Sequence, residues 1–468
     1  MPARLGLVPA LVAALVVAGC SPAGEGGATT AGTGSSTAGP GSSTAGSGSS
    51  TTTGPAPGSS RSGSYPRALT DEEVTALVTA MDDALAAGDV EAFLAHVAPE
   101  LQEEQRAWFE AVGNVPMQVR QLRADRVISR QSPTGTVLHV GLRHQIAGGD
   151  PVPLLEQYRW VLAPDAQDRP VLVEARGRNG EHFGHPQLWD LGPVAALEGE
   201  GVLVLAPEEA REEAELLLPG LELAASRVLR DFPSLAERRE VLTVQLAPAE
   251  HLATMLGTDV EDGYTGGLLW LHTSGSDPGA ERLGLGRPGR VVSPRVVLDL
   301  DLVVQDLVDL GPAPQGDPWL RYFGSGAALQ GDDLDRYPVE WLALGVPEWY
   351  SVLDDPVTAD EVRGWVAQWH DGSAPEELPA IATTTTSDPE EVAATATGFV
   401  LYLAEAFGTE PVLELSRGLA PLDGWHDDVR IREVLTGTLG ASEEELLEGW
   451  SSWLAELEES GPASVESR

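Results

Sequence analysis

Apolar residues recur along the chain with two different periods, and the switches between them lay out its elements. Thr70-Asp71-Glu72-Glu73 has the pattern of a capping box, in which side chains satisfy the first free amides of a helix. Val74, Leu77, Val78, Met81 and Leu85 follow at helical spacing. Gly88-Asp89 breaks that helix, a second short one carries Val90, Phe93, Leu94 and Val97 on one face, and a third runs through Trp108 and Phe109. Beyond Pro116 the period drops to two. Leu138, Val140, Leu142 and Ile146 alternate in one predicted strand, Tyr158, Trp160 and Leu162 in the next, and Val171 and Val173 continue the pattern. Helices followed by antiparallel strands predict an α+β unit whose sheet curls over its amino-terminal helices.

Around Trp189-Asp190-Leu191-Gly192-Pro193 the composition changes and a second region begins. Val202 to Leu205 reads as a strand. Ala214, Leu217, Leu218, Leu221, Ala225, Val228, Leu229 and Phe232 then define a long amphipathic helix. Strands are expected at Val241–Leu246, Gly267–His272 and Val291–Leu298, with a short helical stretch after Pro248. From Asp301 onward the pattern is mostly helical, between loops rich in Gly, Pro and Asp. Trp365 and Trp369, like Phe399 and Leu403, stand four apart and read as core contacts rather than a cofactor box. The expected organisation is an α+β domain over residues 65–190, a second domain over 191–458 and a disordered tail at 459–468.

The amino end changes the picture. Arg4 precedes an apolar run from Leu5 to Val17 that closes on Val17-Ala18-Gly19-Cys20, the layout of a secretory signal. The run falls short of the roughly 20 apolar residues that span a bilayer. It resembles the lipobox of bacterial lipoproteins, which implies diacylglycerol on Cys20, acylation of the new amino terminus, removal of residues 1–19 and residence at the extracytoplasmic face of the cell membrane. An uncleaved short anchor and an ordinary secretory signal are the alternatives. Residues 21–64 are almost entirely Gly, Ser, Thr, Ala and Pro, with Ser-Ser-Thr-Ala-Gly at 35–39 and again at 42–46. With Cys20 they read as a tether with a mean reach of about 35–40 Å; repeat slippage without selected length fits equally. Cys20 is the only cysteine, so no intramolecular disulfide or cysteine-ligated metal site is expected. The formal charge is −43 and all 29 basic residues are arginine. That balance argues against nucleic acid as a partner, since phosphate-backbone binding needs clustered cations.

Two further resemblances concern the folded mass. The first helix, the segment Ala87-Gly88-Asp89-Val90-Glu91-Ala92-Phe93 and the strands ending near Arg176 look like the nuclear transport factor 2-like cone, also used by ketosteroid isomerase, over about residues 66–185. That family implies a pocket that hosts catalysis, binds a ligand or only packs against a neighbour. His144, on the apolar face of its strand, is then either a pocket-lining residue or a hydrogen-bonded core histidine, the second being the better reading.

The layout of residues 199–458 resembles actinobacterial gluzincin domains of the peptidase MA-like kind. Three segments carry it: Ser387 to Gly408, similar to the helix after the active site; Val346-Pro347-Glu348-Trp349, similar to the opening of the helix bearing the third zinc ligand; and Leu439 to Leu446 with Trp450, similar to the terminal helix. The fold class expected is thus α+β, a nuclear transport factor 2-like cone followed by a gluzincin-like domain with a small mixed sheet and a mostly helical C-terminal part.

Zinc peptidase chemistry in that family needs H-E-x-x-H on a helix, two ligands on one face with a water-activating glutamate between them. The chain has no such motif, and no histidine lies between His272 and His370. The third ligand is missing too: Trp349 leads to Val352 and Leu353, and Trp341 to Leu344 and Gly345. His251, His272, His370 and His426 lack ligand spacing, the acidic clusters Asp332-Asp333-Asp335 and Glu443-Glu444-Glu445 read as solvated faces, and Ser325 between Gly324 and Gly326 reads as a loop. No metal, cofactor or catalytic residue is therefore expected. The function expected is a noncatalytic, pseudo-metallopeptidase lipoprotein that binds a protein or peptide at the cell surface. Small-molecule binding or turnover in the cone, and an active hydrolase with a different site, stay open.

Overall fold

Both halves of the capping box form: Glu73 N–H donates to Thr70 Oγ1 (3.2 Å) and Thr70 N–H to Glu73 Oε2 (2.8 Å). They open α1 (Asp71–Ala87), which buries Val74, Leu77, Val78, Met81 and Leu85 and ends on Gly88 at φ 69, a conformation that costs a residue without Cβ little. The computed structural model describes residues 16–18, 66–130, 132–177, 186–237, 239–256, 267–273, 291–311, 316–330, 339–370, 377–379, 388–424 and 427–460. Among these, no helix is long and apolar enough to cross a membrane.

Helices α2 (Val90–Leu94) and α3 (Gln102–Asn114) follow, then β2 (Met117–Ser129), β3 (Thr136–Ile146), β4 (Leu154–Pro164) and β5 (Pro170–Gly177), an antiparallel sheet in the order β2-β3-β4-β5; β1 is the short stretch Val16–Ala18. Strand β2 has no counterpart in the hydrophobic pattern. It is an edge strand in which Leu122 alone is fully buried, so alternation is nearly absent. In β5 the pattern reads one residue out: Leu172 and Ala175 enter the core, whereas Val171 pairs with Ala163 on the opposite face and Val173 is half-buried. A register shift between Val161 and Leu162 accompanies this change.

Short α4 (Leu188–Leu191) leads to a mixed sheet built from β6 (Val194–Gly199), β7 (Val202–Pro207), β8 (Leu242–Ala247), β9 (Gly267–Thr273) and β10 (Val291–Asp299), in the order β1-β9-β10-β8-β7-β6. Strands β7, β8 and β10 pair in parallel, and β6 and β9 flank them antiparallel. Period two sorts its side chains between two cores. Val202, Val204, Val244, Leu246, Val296 and Leu298 face α5 (Arg211–Asp231) and the C-terminal helices. Leu203, Leu205, Ala247 and Val297 face the other way and complete the core of α1–α3 and β2–β5. The mixed sheet is thus a wall shared by both halves, and the hydrophobic core of the first crosses residue 190.

After α6 (Pro233–Ala236) and α7 (Ala249–Leu256), the rest is helical: α8 (Leu300–Leu310), α9 (Pro318–Gln330), α10 (Glu340–Val352), α11 (Pro356–Trp369), α12 (Pro389–Phe407), α13 (Thr409–Leu419), α14 (Asp428–Leu439) and α15 (Glu443–Ser460). A second capping box, Ser442 with Glu445, starts α15. The architecture is α+β: an N-terminal four-stranded antiparallel sheet with helices, a mixed sheet, then a mostly helical C-terminal part.

Candidate functional site

Helices α9 and α10 occupy the interval in which the expected metal ligands are missing. Ser325 lies inside α9, not in a loop: it is fully buried, and its Oγ donates to Tyr322 O (2.9 Å). Of the flanking glycines, Gly324 serves packing. A Cβ there would come within 3.1 Å of Val228 on α5, so the missing side chain allows α9 to lie close to that helix, whereas a Cβ on Gly326 would meet nothing nearer than Pro347 at 3.9 Å. Val346-Pro347-Glu348-Trp349 lies in the second half of α10 and does not open it, because the helix already starts at Glu340.

The α9–α10 contact holds one unusual group. Glu348 is 5% exposed, and among the described residues its carboxylate has no hydrogen bond or ion pair. Burial alone pushes its carboxyl up to about 8, so it is mostly protonated at neutral pH. Tyr322 is held well above the ordinary phenol range, first by burial and then by Glu348. Arg321, also buried, donates through Nη1 to the carbonyls of Tyr350 (3.2 Å) and Leu353 (2.9 Å), tying α9 to the end of α10. At the start of α9, burial raises Asp317 to about 6 although its carboxylate accepts Leu320 N–H (2.8 Å). A single neutral acid among aromatic and aliphatic groups can donate one proton but cannot enclose a cation.

Of the remaining candidates, His370 follows the end of α11 and His251 lies in α7. Cys20, His426, the side chain of His272 and the cluster at Asp332–Asp335 lie outside the described residues. Glu443, Glu444 and Glu445 form the first turn of α15, where Glu445 serves the capping box. Among the described residues, no group of three or more His, Cys, Asp or Glu is arranged to hold a metal ion.

A second polar constellation lies where the N-terminal sheet meets the mixed sheet, and of its members the sequence pattern singled out His144 alone. Asp150 accepts from Ile146 N–H (2.8 Å), Ser293 Oγ and Arg295 Nη2 (3.1 Å). Arg295, fully buried, also donates through Nη1 to Gln187 Oε1 (2.7 Å), which accepts in addition from Gln245 Nε2 (3.0 Å). Its guanidinium carbon lies 5.5 Å from the Trp189 ring centroid. His144 is fully buried with Nε2 3.1 Å from Glu156 Oε1 and Nδ1 4.0 Å from Asp150 Oδ2. It is the hydrogen-bonded histidine of a packed junction.

Nearby, Asp190 accepts from Tyr158 Oη (2.9 Å), Trp108 Nε1 (3.1 Å) and Gln187 N–H (2.9 Å). Burial, reinforced by the charge of Glu156, pushes its carboxyl up to about 8. Tyr158 Oη also donates to Glu156 Oε2 (3.4 Å), so Glu156, Asp190 and Tyr158 form one hydrogen-bonded cluster. Residues 144, 150, 156, 158, 187, 190, 245, 293 and 295 come from seven different elements and loops, and only the packing of one sheet against the other brings them together.

Aromatic rings pack against one another inside the N-terminal sheet. Phe93 stacks on Trp108 at 6.0 Å and packs on Phe109 at 5.1 Å, while Trp108 meets Tyr158 edge-on at 6.0 Å. A surface groove of about 280 Å³ lies between α10, α11 and α12. Trp349, Leu353, Ala359 and Leu401 give it an apolar floor, and the Arg363–Glu405 ion pair (2.7 Å) borders it. No family model matches the chain, and no curated protein matches it either. Function has to be argued from the chain's own geometry.

Proposed function

We propose that the chain is a membrane-anchored extracytoplasmic lipoprotein that binds a protein or peptide, with a nuclear transport factor 2-like domain in front and, behind it, a gluzincin-like domain that has lost its zinc centre. The observation that carries this reading is the outer edge of the mixed sheet. Strand β9 pairs with β10 on one side only, and its other side is met in parallel by Val16–Ala18. Those three residues belong to the segment that the lipobox reading removes. Cleavage before Cys20 would leave a row of unpaired backbone donors and acceptors, and an exposed sheet edge captures an extended peptide as an added strand. Helices α9 and α10, in the histidine-free interval between His272 and His370, supply the second support: their contact is aromatic and aliphatic around the single acid Glu348.

The test is to purify the mature chain without chelator, measure its metal content, assay it against a peptide library and follow amide exchange in β9. The reading expects no stoichiometric zinc, no cleavage and peptide-dependent slowing of exchange at residues 267–273. Bound zinc with chelator-sensitive cleavage would overturn it.

A further inference from the structure

We propose that the junction between the N-terminal sheet and the mixed sheet is a binding site for ordered water, with one molecule bridging His144 and Asp150. The two sheets meet there through polar groups. Arg295 Nη2 donates to Asp150 Oδ2 (3.1 Å), and Gln187 Oε1 accepts from Arg295 Nη1 (2.7 Å) and Gln245 Nε2 (3.0 Å). Those bonds satisfy only part of the side chains involved. His144 Nδ1, Thr243 Oγ1, Gln245 Oε1 and Arg295 Nε are buried and make no hydrogen bond among the described residues. Parallel pairing of Val244 with Val296 and of Gln245 with Val297 sets Thr243 beside Arg295 on one face of the mixed sheet. His144, Gln245 and Arg295 are fully buried and Thr243 is 3% exposed, so bulk solvent does not reach them. Folded chains leave fewer than about one in ten buried polar groups unpaired. Four such atoms at one junction call for a counter-group that the side chains do not supply.

Distance and chemistry both select water. His144 Nδ1 stands 4.0 Å from Asp150 Oδ2, too far for a hydrogen bond. A water molecule about 2.8 Å from each atom spans that gap, as bridging waters do between polar atoms that face each other beyond about 3.5 Å. On the mixed-sheet side, a Cβ on Gly149 would lie 2.5 Å from Thr243 Oγ1, so any side chain at 149 would press on the hydroxyl and glycine spares it. Arg295 Nε carries a proton to donate, Gln245 Oε1 accepts, and the Thr243 hydroxyl and His144 Nδ1 can do either. A cation would face the Arg295 guanidinium. An anion would face Gln245 Oε1 and the Asp150 carboxylate. A small neutral molecule that both donates and accepts suits all of these atoms, and a buried water makes about three such bonds. The water would link β3 and the β3–β4 turn to β8 and β10, and so form part of what holds the two sheets together.

The test is a crystal structure of the whole chain at a resolution that shows ordered solvent, read together with two substitutions at Thr243. The expected map has solvent density within hydrogen-bond distance of both His144 Nδ1 and Asp150 Oδ2, and a further molecule on Thr243 Oγ1 or Gln245 Oε1. In solution, oxygen-17 magnetic relaxation dispersion counts the long-lived internal waters. Thr243→Val should lower that count by one, and Thr243→Ser, which keeps the hydroxyl, should leave it. Denaturant titration supplies a sign. Removing a buried hydroxyl that has no partner stabilises a protein, whereas removing one that holds water loses a hydrogen bond, so Thr243→Val should lower the folding equilibrium constant about three- to ten-fold. The proposal is overturned by a wild-type map in which these atoms pair directly with protein groups, or in which the density between His144 and Asp150 is absent or refines as an ion. It is also overturned if Thr243→Val keeps the full water count and is at least as stable as the wild type. Should Thr243→Val fail to fold, the wild-type map and the water count of Thr243→Ser still decide.

Discussion

Glu348 and Arg295 are both buried, and they respond oppositely to mutation because among the described residues only Arg295 has side-chain partners. Raising a carboxyl to about 8 means that the folded state holds its proton more tightly than the unfolded chain. Its contribution to stability is complete below the unfolded value, near 4.5, and is lost as pH rises through about 8. Glu348→Gln keeps the shape and cannot ionise, so it should flatten the fall in melting temperature between pH 6 and 9 and stabilise the protein at pH 9, by an amount of the order of a few kcal/mol at about 1.4 per pKa unit. An unchanged pH profile would show that Glu348 finds a partner when ionised. Arg295 sits in a fully enclosed ion pair with Asp150 (3.1 Å). Arg295→Met leaves Asp150 charged and short of a donor, with an expected loss of about 3–5 kcal/mol in a denaturant titration. Asp150→Asn on that background should recover part of it.

At the scale of elements, close approach decides which glycines are essential. A Cβ on Gly345 of α10 would lie 2.4 Å from Ala396 O and 2.7 Å from its carbonyl carbon on α12. That neighbour is backbone and cannot rotate away, so Gly345→Ala should cost about 2 kcal/mol or more as α10 and α12 move apart. Gly364 in α11 has nothing within 4 Å of the same position, and Gly364→Ala should instead add about 0.5–1 kcal/mol from helix propensity. Paired chemical melts of the two variants check both signs at once. Strand β2 shows the limit of pattern reading. Its residues form an edge with one face toward solvent, so the sequence spends three arginines where alternation would place apolar groups, and the strand stays silent until its register with β3 is known.

For the whole molecule, the shared mixed sheet makes the two halves one cooperative unit. A fragment of residues 65–190 lacks Leu203, Leu205, Ala247, Leu252, Met255 and Val297, which complete its core. It should show no cooperative melting transition in isolation, whereas the fragment of residues 65–460 should melt in a single step; a sharp transition from the short fragment would disprove the shared core. The pH profile is also a property of the whole. Asp190, Asp317 and Glu348 are all raised by burial, so each withdraws stability as pH climbs from about 4 to its raised value, about 6 for Asp317 and about 8 for the other two. Glu73, drawn down to about 2 first by its hydrogen bond from Arg67, acts in the other direction, as do Asp165, Glu208 and Glu445. Their contribution is present above the unfolded value and is lost as pH falls. The two sets leave a stability maximum between about pH 4.5 and 6, which melting curves across pH 3 to 9 would locate.

By itself the sequence determined what depends on neighbours within one or two turns: the capping box at Thr70, the buried face of α1, the strand alternation of β3 and β4, the long helix from Ala214 to Val228 and the α+β class. Each follows from a local periodicity or a single hydrogen-bond pair. The tertiary structure decided what depends on residues far apart. Ser325 became helical because Gly324 can approach Val228, Leu172 replaced Val171 in the core because the register shifts at Val161, and Arg295 met Asp150 across 145 positions. Arg126, His139, Arg159 and Arg176 meet in the same way, since they are scattered along the chain and become neighbours only through the pairing of β2–β5.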